Sequence, residues 1–106
     1  MDSPPPIEEI TRLIADAFHP RRIVLFGSRA RGDATPDSDV DLMIEMDTTA
    51  SPIERAIAVR TLFGLRTWSL DVVVYTPDEI DRLRRINGTL ASMIDAEGRV
   101  VYERAA

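Results

Sequence analysis

Arg22-Ile23-Val24-Leu25-Phe26-Gly27-Ser28, followed after ten more residues by Asp39-Val40-Asp41, is the stretch on which the reading of this chain turns. Its first five residues are a β-branched and aromatic run that stops at a glycine, the pattern of a buried strand. Gly27-Ser28 is then a strand-to-helix junction, and the Gly, Pro, Thr and Asp content of residues 29–37 predicts one short helical turn before a loop. Beyond it Val40, Leu42 and Ile44 alternate with Asp39, Asp41, Met43 and Glu45, which predicts a second strand with one acidic face. Because strand side chains repeat with period two, Asp39 and Asp41 point the same way and repel each other. A hard divalent cation between them relieves that repulsion, and an all-oxygen donor set favours magnesium or manganese. The plainer alternative is a solvated loop end. An EF-hand is excluded, since its obligatory glycine falls on Leu42 and its bidentate glutamate on Thr48.

Outward from this stretch, Ser3 offers an N-cap ahead of three prolines, and Ile7, Ile10, Leu13, Ile14, Ala17 and Phe18 fall at helical spacing, with His19-Pro20 ending the helix. Ser51-Pro52-Ile53-Glu54 is a capping box with proline at the first helical position, and it predicts a helix to about Arg66. The apolar residues of that helix cover more than one stripe, so it is either buried on two sides or presents an apolar patch to a partner. Leu70 to Tyr75 predicts a third strand, buried apart from Asp71. An unpaired charge inside such a run is costly, so Asp71 is a third acidic candidate unless it lies at the strand edge or pairs with an arginine. Thr76-Pro77-Asp78-Glu79 repeats the capping box and starts a helix carrying Ile80, Leu83 and Ile86. That helix breaks at Asn87-Gly88, resumes through Leu90, Met93 and Ile94, and stops at Gly98, before a last edge strand from Arg99 to Tyr102.

At 106 residues, 44% apolar and 29% charged, the chain has the make-up of one small globular domain. No apolar run reaches the span of a bilayer and no signal-peptide layout is present, so a cytoplasmic, non-membrane location is expected. Without cysteine there is no disulfide, thiolate–zinc site or thiol nucleophile, and a single His19 leaves no histidine metal site; a helix-end role suits it better. All thirteen basic residues are arginine, which removes P-loop, kinase-type and Schiff-base lysine chemistry. A net charge of −5 argues against non-specific nucleic-acid binding, although the cluster Arg21, Arg22, Arg29 and Arg31 could meet one phosphorylated ligand. Trp68 and Tyr75 read as core or interface anchors rather than base-stacking residues.

Taken together, Gly27-Ser28-Arg29-Ala30-Arg31-Gly32-Asp33-Ala34, then Ser38-Asp39-Val40-Asp41-Leu42, and later Asp71 in an apolar strand resemble the nucleotidyltransferase fold shared with DNA polymerase β. The motif is most similar to that of the minimal nucleotidyltransferases, in which Gly-Ser, about ten residues, Asp-x-Asp and a third Asp on a later strand recur; the likeness spans most of the chain. The resemblance implies an α/β (α+β) core, a small mixed sheet flanked by helices, as a single domain over residues 1–106. It further implies two magnesium ions (manganese as an alternative) held by Asp39, Asp41 and Asp71, and ATP as the nucleoside triphosphate substrate. Attack of an acceptor hydroxyl on the α-phosphorus follows, with Asp71 nearest the acceptor and placed to take its proton. Gly27 and Ser28 are then expected at the β- and γ-phosphates, with Arg29 and Arg31 either adding phosphate contacts or simply solvated.

Larger relatives carry an extra helical domain that shapes the acceptor site, and this sequence runs little beyond the core. The resemblance therefore implies a second chain, and members of the family that look like this one are antitoxins that transfer AMP to a tyrosine of a HEPN-domain toxin. The alternatives are the catalytic subunit of an aminoglycoside-type small-molecule nucleotidyltransferase, and an antitoxin that works by binding alone. No direct nucleic-acid partner is expected.

Overall fold

The computed structural model describes residues 6–64, 66 and 68–105. In chain order the elements are α1 (Ile7–Phe18), β1 (Arg22–Phe26), α2 (Ser28–Arg31), β2 (Val40–Glu45), α3 (Pro52–Thr61), β3 (Leu70–Tyr75), α4 (Pro77–Leu83), α5 (Leu90–Glu97) and β4 (Arg99–Glu103). The strands form a mixed sheet in the order β3-β2-β1-β4, with β1 antiparallel to β2 and β4, and β2 parallel to β3. This is the small mixed sheet flanked by helices that the sequence implied.

Each face of the sheet has its own apolar layer. On one face Ile10 and Ile14 of α1 and Val59 of α3 pack on Ile23, Leu25, Val40, Leu42, Ile44, Leu70 and Val74. On the other, Ile80 of α4 and Ile94 of α5 pack on Val24, Phe26 and Met43. Complete burial of a side chain such as Ile23, Leu25, Leu42 or Ile44 contributes about 2 kcal/mol, so the two central strands hold the layers together.

Local expectations are modified where this packing intervenes. The helix α1 has Pro6 at its N-cap with no side-chain cap, and the expected cap Ser3 lies outside the described residues. His19 does end α1, in a left-handed conformation with its N–H donating to the Ala15 carbonyl. The acidic face expected of β2 is interrupted, because α4 and α5 cover its middle and Met43 is only 3% exposed; Asp41 and Glu45 flank it. The helix α3 stops at Thr61 rather than near Arg66, and Gly64 turns the chain with φ +43°. Strand β3 is an edge, so Val72, Val73 and Tyr75 are half-buried rather than enclosed. The next helix ends at Leu83, leaving Ile86 outside both helices and half exposed, while Gly88 turns at φ +89° and Thr89 caps α5. Among the described residues no helix is long and apolar enough to cross a membrane.

Two parallel neighbouring strands need a crossover, and α3 provides it. Its start is fixed by both bonds of the Ser51–Glu54 capping box. Arg55, 8% exposed, then donates from Nε to the Ala50 carbonyl (2.7 Å) and from Nη1 to the Val74 carbonyl (3.2 Å) and Glu79 Oε1 (2.7 Å). Glu79 Oε1 also accepts from the Thr76 N–H at 2.8 Å, so one carboxylate ties α3, β3 and α4 together. Truncating one partner of such a pair strands the other. Arg55→Leu is therefore expected to lower stability by about 2 kcal/mol or more in urea unfolding, with a smaller loss for Glu79→Gln, which keeps an acceptor.

Candidate active site

The parallel register of β2 and β3 sets Asp41 directly opposite Asp71. Asp39, immediately before β2, points to the same side two residues earlier. Each of the three offers a carboxylate oxygen within 4.8 Å of the others; Asp39 and Asp71 are exposed and Asp41 is half-buried. The fold thus brings together the three aspartates expected from the sequence, Asp41 and Asp71 from neighbouring strands and Asp39 from the loop before β2.

Gly27 is what lets Asp41 sit where it does. Its backbone (φ +74°, ψ −157°) lies in a region that is essentially closed to residues with a Cβ. A Cβ there would also overlap Asp41 Oδ2 and lie 3.1 Å from its Cγ. Ser28 opens α2, whose first N–H groups have no acceptor within the helix. The loop delivering Asp39 is braced from α2: Arg29 donates to the Ser38 carbonyl from Nη2 (2.7 Å) and Nε (3.2 Å), and the Thr35 N–H donates to Ser38 Oγ (2.8 Å).

The arginines are not gathered at one place. Arg21 and Arg22 precede and open β1, and Arg29 follows its far end, roughly 15 Å away at the rise of an extended strand. Arg21 pairs with Asp47 and Arg22 with Glu45, so the expected four-arginine cluster is divided between the two ends of β1. Arg31 pairs with Asp33 (3.4 Å) and Glu97 (3.3 Å) and lends some positive potential to Asp41. One basic residue at the triad was not singled out by the sequence reading: Arg60, in the last turn of α3, places Nη2 3.7 Å from Asp71 Oδ1. The only signal for it was its position at the end of a crossover helix leading into β3. Asp71 accordingly fulfils both plain alternatives, strand edge and arginine partner, while also joining the triad.

Burial, then the charges of Asp71 and Asp39, push the Asp41 carboxyl up from 3.8 to about 6. Lost hydration is the leading cause and the neighbouring negative charges add to it, and the all-carboxylate donor set fits a hard divalent cation such as Mg2+ or Mn2+.

A model of the nucleotidyltransferase domain family matches residues 7–102, and the chain belongs to that family. Two proteins of Methanocaldococcus jannaschii, each named a putative protein adenylyltransferase, are similar to it. One is 30% identical over 98 residues, covering 91% of this chain and 94% of the relative. The other is 42% identical over 50 residues, which span 43% of this chain and half the length of that relative. Among solved structures, a putative nucleotidyltransferase from Sulfolobus solfataricus shares the fold, with a TM-score of 0.64 and 24% identity over 92% of this chain and 78% of that one.

Two predictions follow from the geometry. Gly27→Ala is expected to cost about 2 kcal/mol or more, because the strained backbone and the clash with Asp41 act together, and to abolish cation binding, as read by calorimetric titration. The second concerns pH. The folded-state pKa of Asp41 lies above its unfolded value, so the folded protein holds a proton that the unfolded chain has lost between pH 3.8 and about 6. Metal-free stability therefore falls across that window and stays reduced above it. Asp41→Asn removes the penalty: at pH 8 without metal its Tm should exceed wild type by a few °C, and near pH 4 the difference should vanish. Equal Tm differences at the two pH values would refute the assignment.

Proposed function

We propose that the nucleotidyltransferase domain of residues 1–106 is a magnesium-dependent enzyme that transfers AMP from ATP to a protein hydroxyl, the acceptor being a tyrosine of a HEPN-domain toxin that it thereby silences. The observation that carries this reading is the openness of the triad. Asp71 stands on edge strand β3 with its side chain 62% exposed, so an acceptor can arrive from outside the sheet on a second chain. A small-molecule site, by contrast, encloses most of its ligand. The names of the two archaeal relatives support protein adenylylation, and the exposed Ile53 (73%) and Ile57 (56%) support an apolar partner surface on α3.

In this reading Asp39, Asp41 and Asp71 hold the metal, which supplies charge neutralisation at the triphosphate and in-line alignment of the reacting groups. Asp71, exposed on edge strand β3, receives the acceptor's proton as the acceptor oxygen bonds to the α-phosphorus. The bond from that phosphorus to the bridging oxygen breaks, and pyrophosphate leaves. Gly27 and Ser28 present backbone N–H groups and a hydroxyl to the β- and γ-phosphates. Arg31 adds charge beside them, and Arg29 serves by holding the Asp39 loop. The setting of this chemistry is the cytoplasm.

The test is to co-express the chain with the product of its neighbouring gene, add Mg2+ and ATP labelled at the α-phosphate, and ask which polypeptide gains label. Label on the partner, reduced about 100-fold or more by Asp39→Ala with Asp41→Ala, is the expected result. No label with the partner still silenced would replace catalysis by simple binding, and label appearing only on an added aminoglycoside would make the acceptor a small molecule.

A further inference from the structure

We propose that Arg60 is a placeholder cation at Asp71: its guanidinium rests against the third carboxylate in the metal-free protein and is displaced when a divalent ion enters the triad. The inference rests on the reading of the triad as a cation site and adds a residue that this reading does not contain.

Three observations carry it. The first is distance and isolation. Arg60 Nη2 lies 3.7 Å from Asp71 Oδ1, and among the described residues this is the ion pair made to any member of the triad. Arg31, the other arginine near the site, has its guanidinium paired with Asp33 and Glu97. The second is anchorage. The helix α3 is locked at its beginning by the Ser51 capping box and one turn later by the three bonds of Arg55, so Arg60, in the last turn, is delivered to the edge of β3 from a fixed base. The third is weakness. The pair is exposed on both sides, 44% for Arg60 and 62% for Asp71, so water screens it and it can be exchanged readily. A buried, bidentate bridge to the same carboxylate would block the metal, whereas this one holds the side chain near its partners and yields to a doubly charged competitor.

The charges determine the sign. A guanidinium within about 4 Å of a ligand carboxylate also lies close to any ion bound there, and the two positive charges repel with an energy that falls as salt rises. Removing the charge therefore strengthens cation binding, although it also removes the group that holds Asp71 beforehand. The electrostatic effect is the larger because the bridge is loose.

The experiment titrates Mn2+ alone into the metal-free protein, following free Mn2+ by electron paramagnetic resonance, with no nucleotide or acceptor present. Arg60→Met, which keeps the length of the side chain, is expected to bind Mn2+ about five-fold more tightly than wild type at low salt, a repulsion of the size expected for nearby charges under strong solvent screening. The gain should shrink in 0.5 M salt, and Arg60→Lys should restore wild-type affinity. Unchanged or weaker binding by Arg60→Met, with wild type binding Mn2+ and Asp39→Ala with Asp41→Ala not binding, would overturn the role of Arg60 while leaving the metal site intact. Failure of wild type to bind Mn2+ at all would overturn both. Arg60 is exposed and its neighbours on α3 are held by other bonds, so the variant should unfold at the wild-type temperature, and a merely structural role would leave Mn2+ affinity where it was.

Discussion

Repulsion among three carboxylates is the constraint around which this structure is arranged. Two of them face each other across parallel strands and the third enters from the loop before β2, all within 4.8 Å. Nothing in folding favours such a cluster: burial first, and then the charges of Asp71 and Asp39, raise the pKa of Asp41. It persists because every element that carries it is fixed by contacts made elsewhere. The apolar layers fix the register of β2, the Gly27 backbone leaves room for the Asp41 carboxylate, and Arg29 clamps the carbonyl of Ser38 beside Asp39. Local instability at a site, sustained by packing around it, is the pattern expected where charge must be concentrated for chemistry.

The same logic explains the investment in α3. A crossover helix is needed to make β3 parallel to β2, and the register of that parallel pair puts Asp71 opposite Asp41. Few apolar contacts hold the helix: Val59 is fully buried, whereas Ile53 and Ile57 face solvent. Polar bonds supply the rest, chiefly Arg55 to Ala50, Val74 and Glu79. Those bonds leave the outer face of α3 free of any role in the core. Its exposed Ile53 and Ile57 are apolar surface that the core does not use.

Much of this was legible in the amino-acid order because the signals were local. Both capping boxes, the arrest of β1 at Gly27, the break around Asn87-Gly88 and the end of α5 at Gly98 depend on bonds or dihedrals within a few residues. The three aspartates could be named because charges stand out in apolar strands. What could not be read was relational. Strand order makes β3 an edge and so half exposes Val72 and Val73, and it is the far layer of α4 and α5 that buries Met43 in a strand expected to be acidic along that face. The α3 helix ends early where Gly64 turns, although Leu62 and Phe63 continue the apolar pattern. Nor could the division of the arginines be seen, since Arg22 and Arg29 are seven positions apart in sequence, but Arg22 opens β1 and Arg29 lies past its other end.

Arginine placement then separates two tasks that sequence alone merges. Arg29 lies beside the Gly-Ser turn, where a phosphate contact is the natural reading, yet its Nε and Nη2 are turned back onto loop carbonyls and its contribution is to the shape of the site. Arg60 lies in no motif, yet its guanidinium reaches a member of the triad. With lysine absent, all thirteen side chains of the Lys/Arg type are guanidinium groups, each able to brace several carbonyls at once or rest loosely against a carboxylate. Which of these it does is decided by burial and by the number of acceptors within reach. At the loop, three carbonyls converge on Arg29 and it is retained; at the edge of β3, one exposed oxygen faces Arg60 and it can be replaced. The site is therefore built rigid on the side of the Gly-Ser turn and exchangeable on the side of Asp71, where the carboxylate is open to solvent.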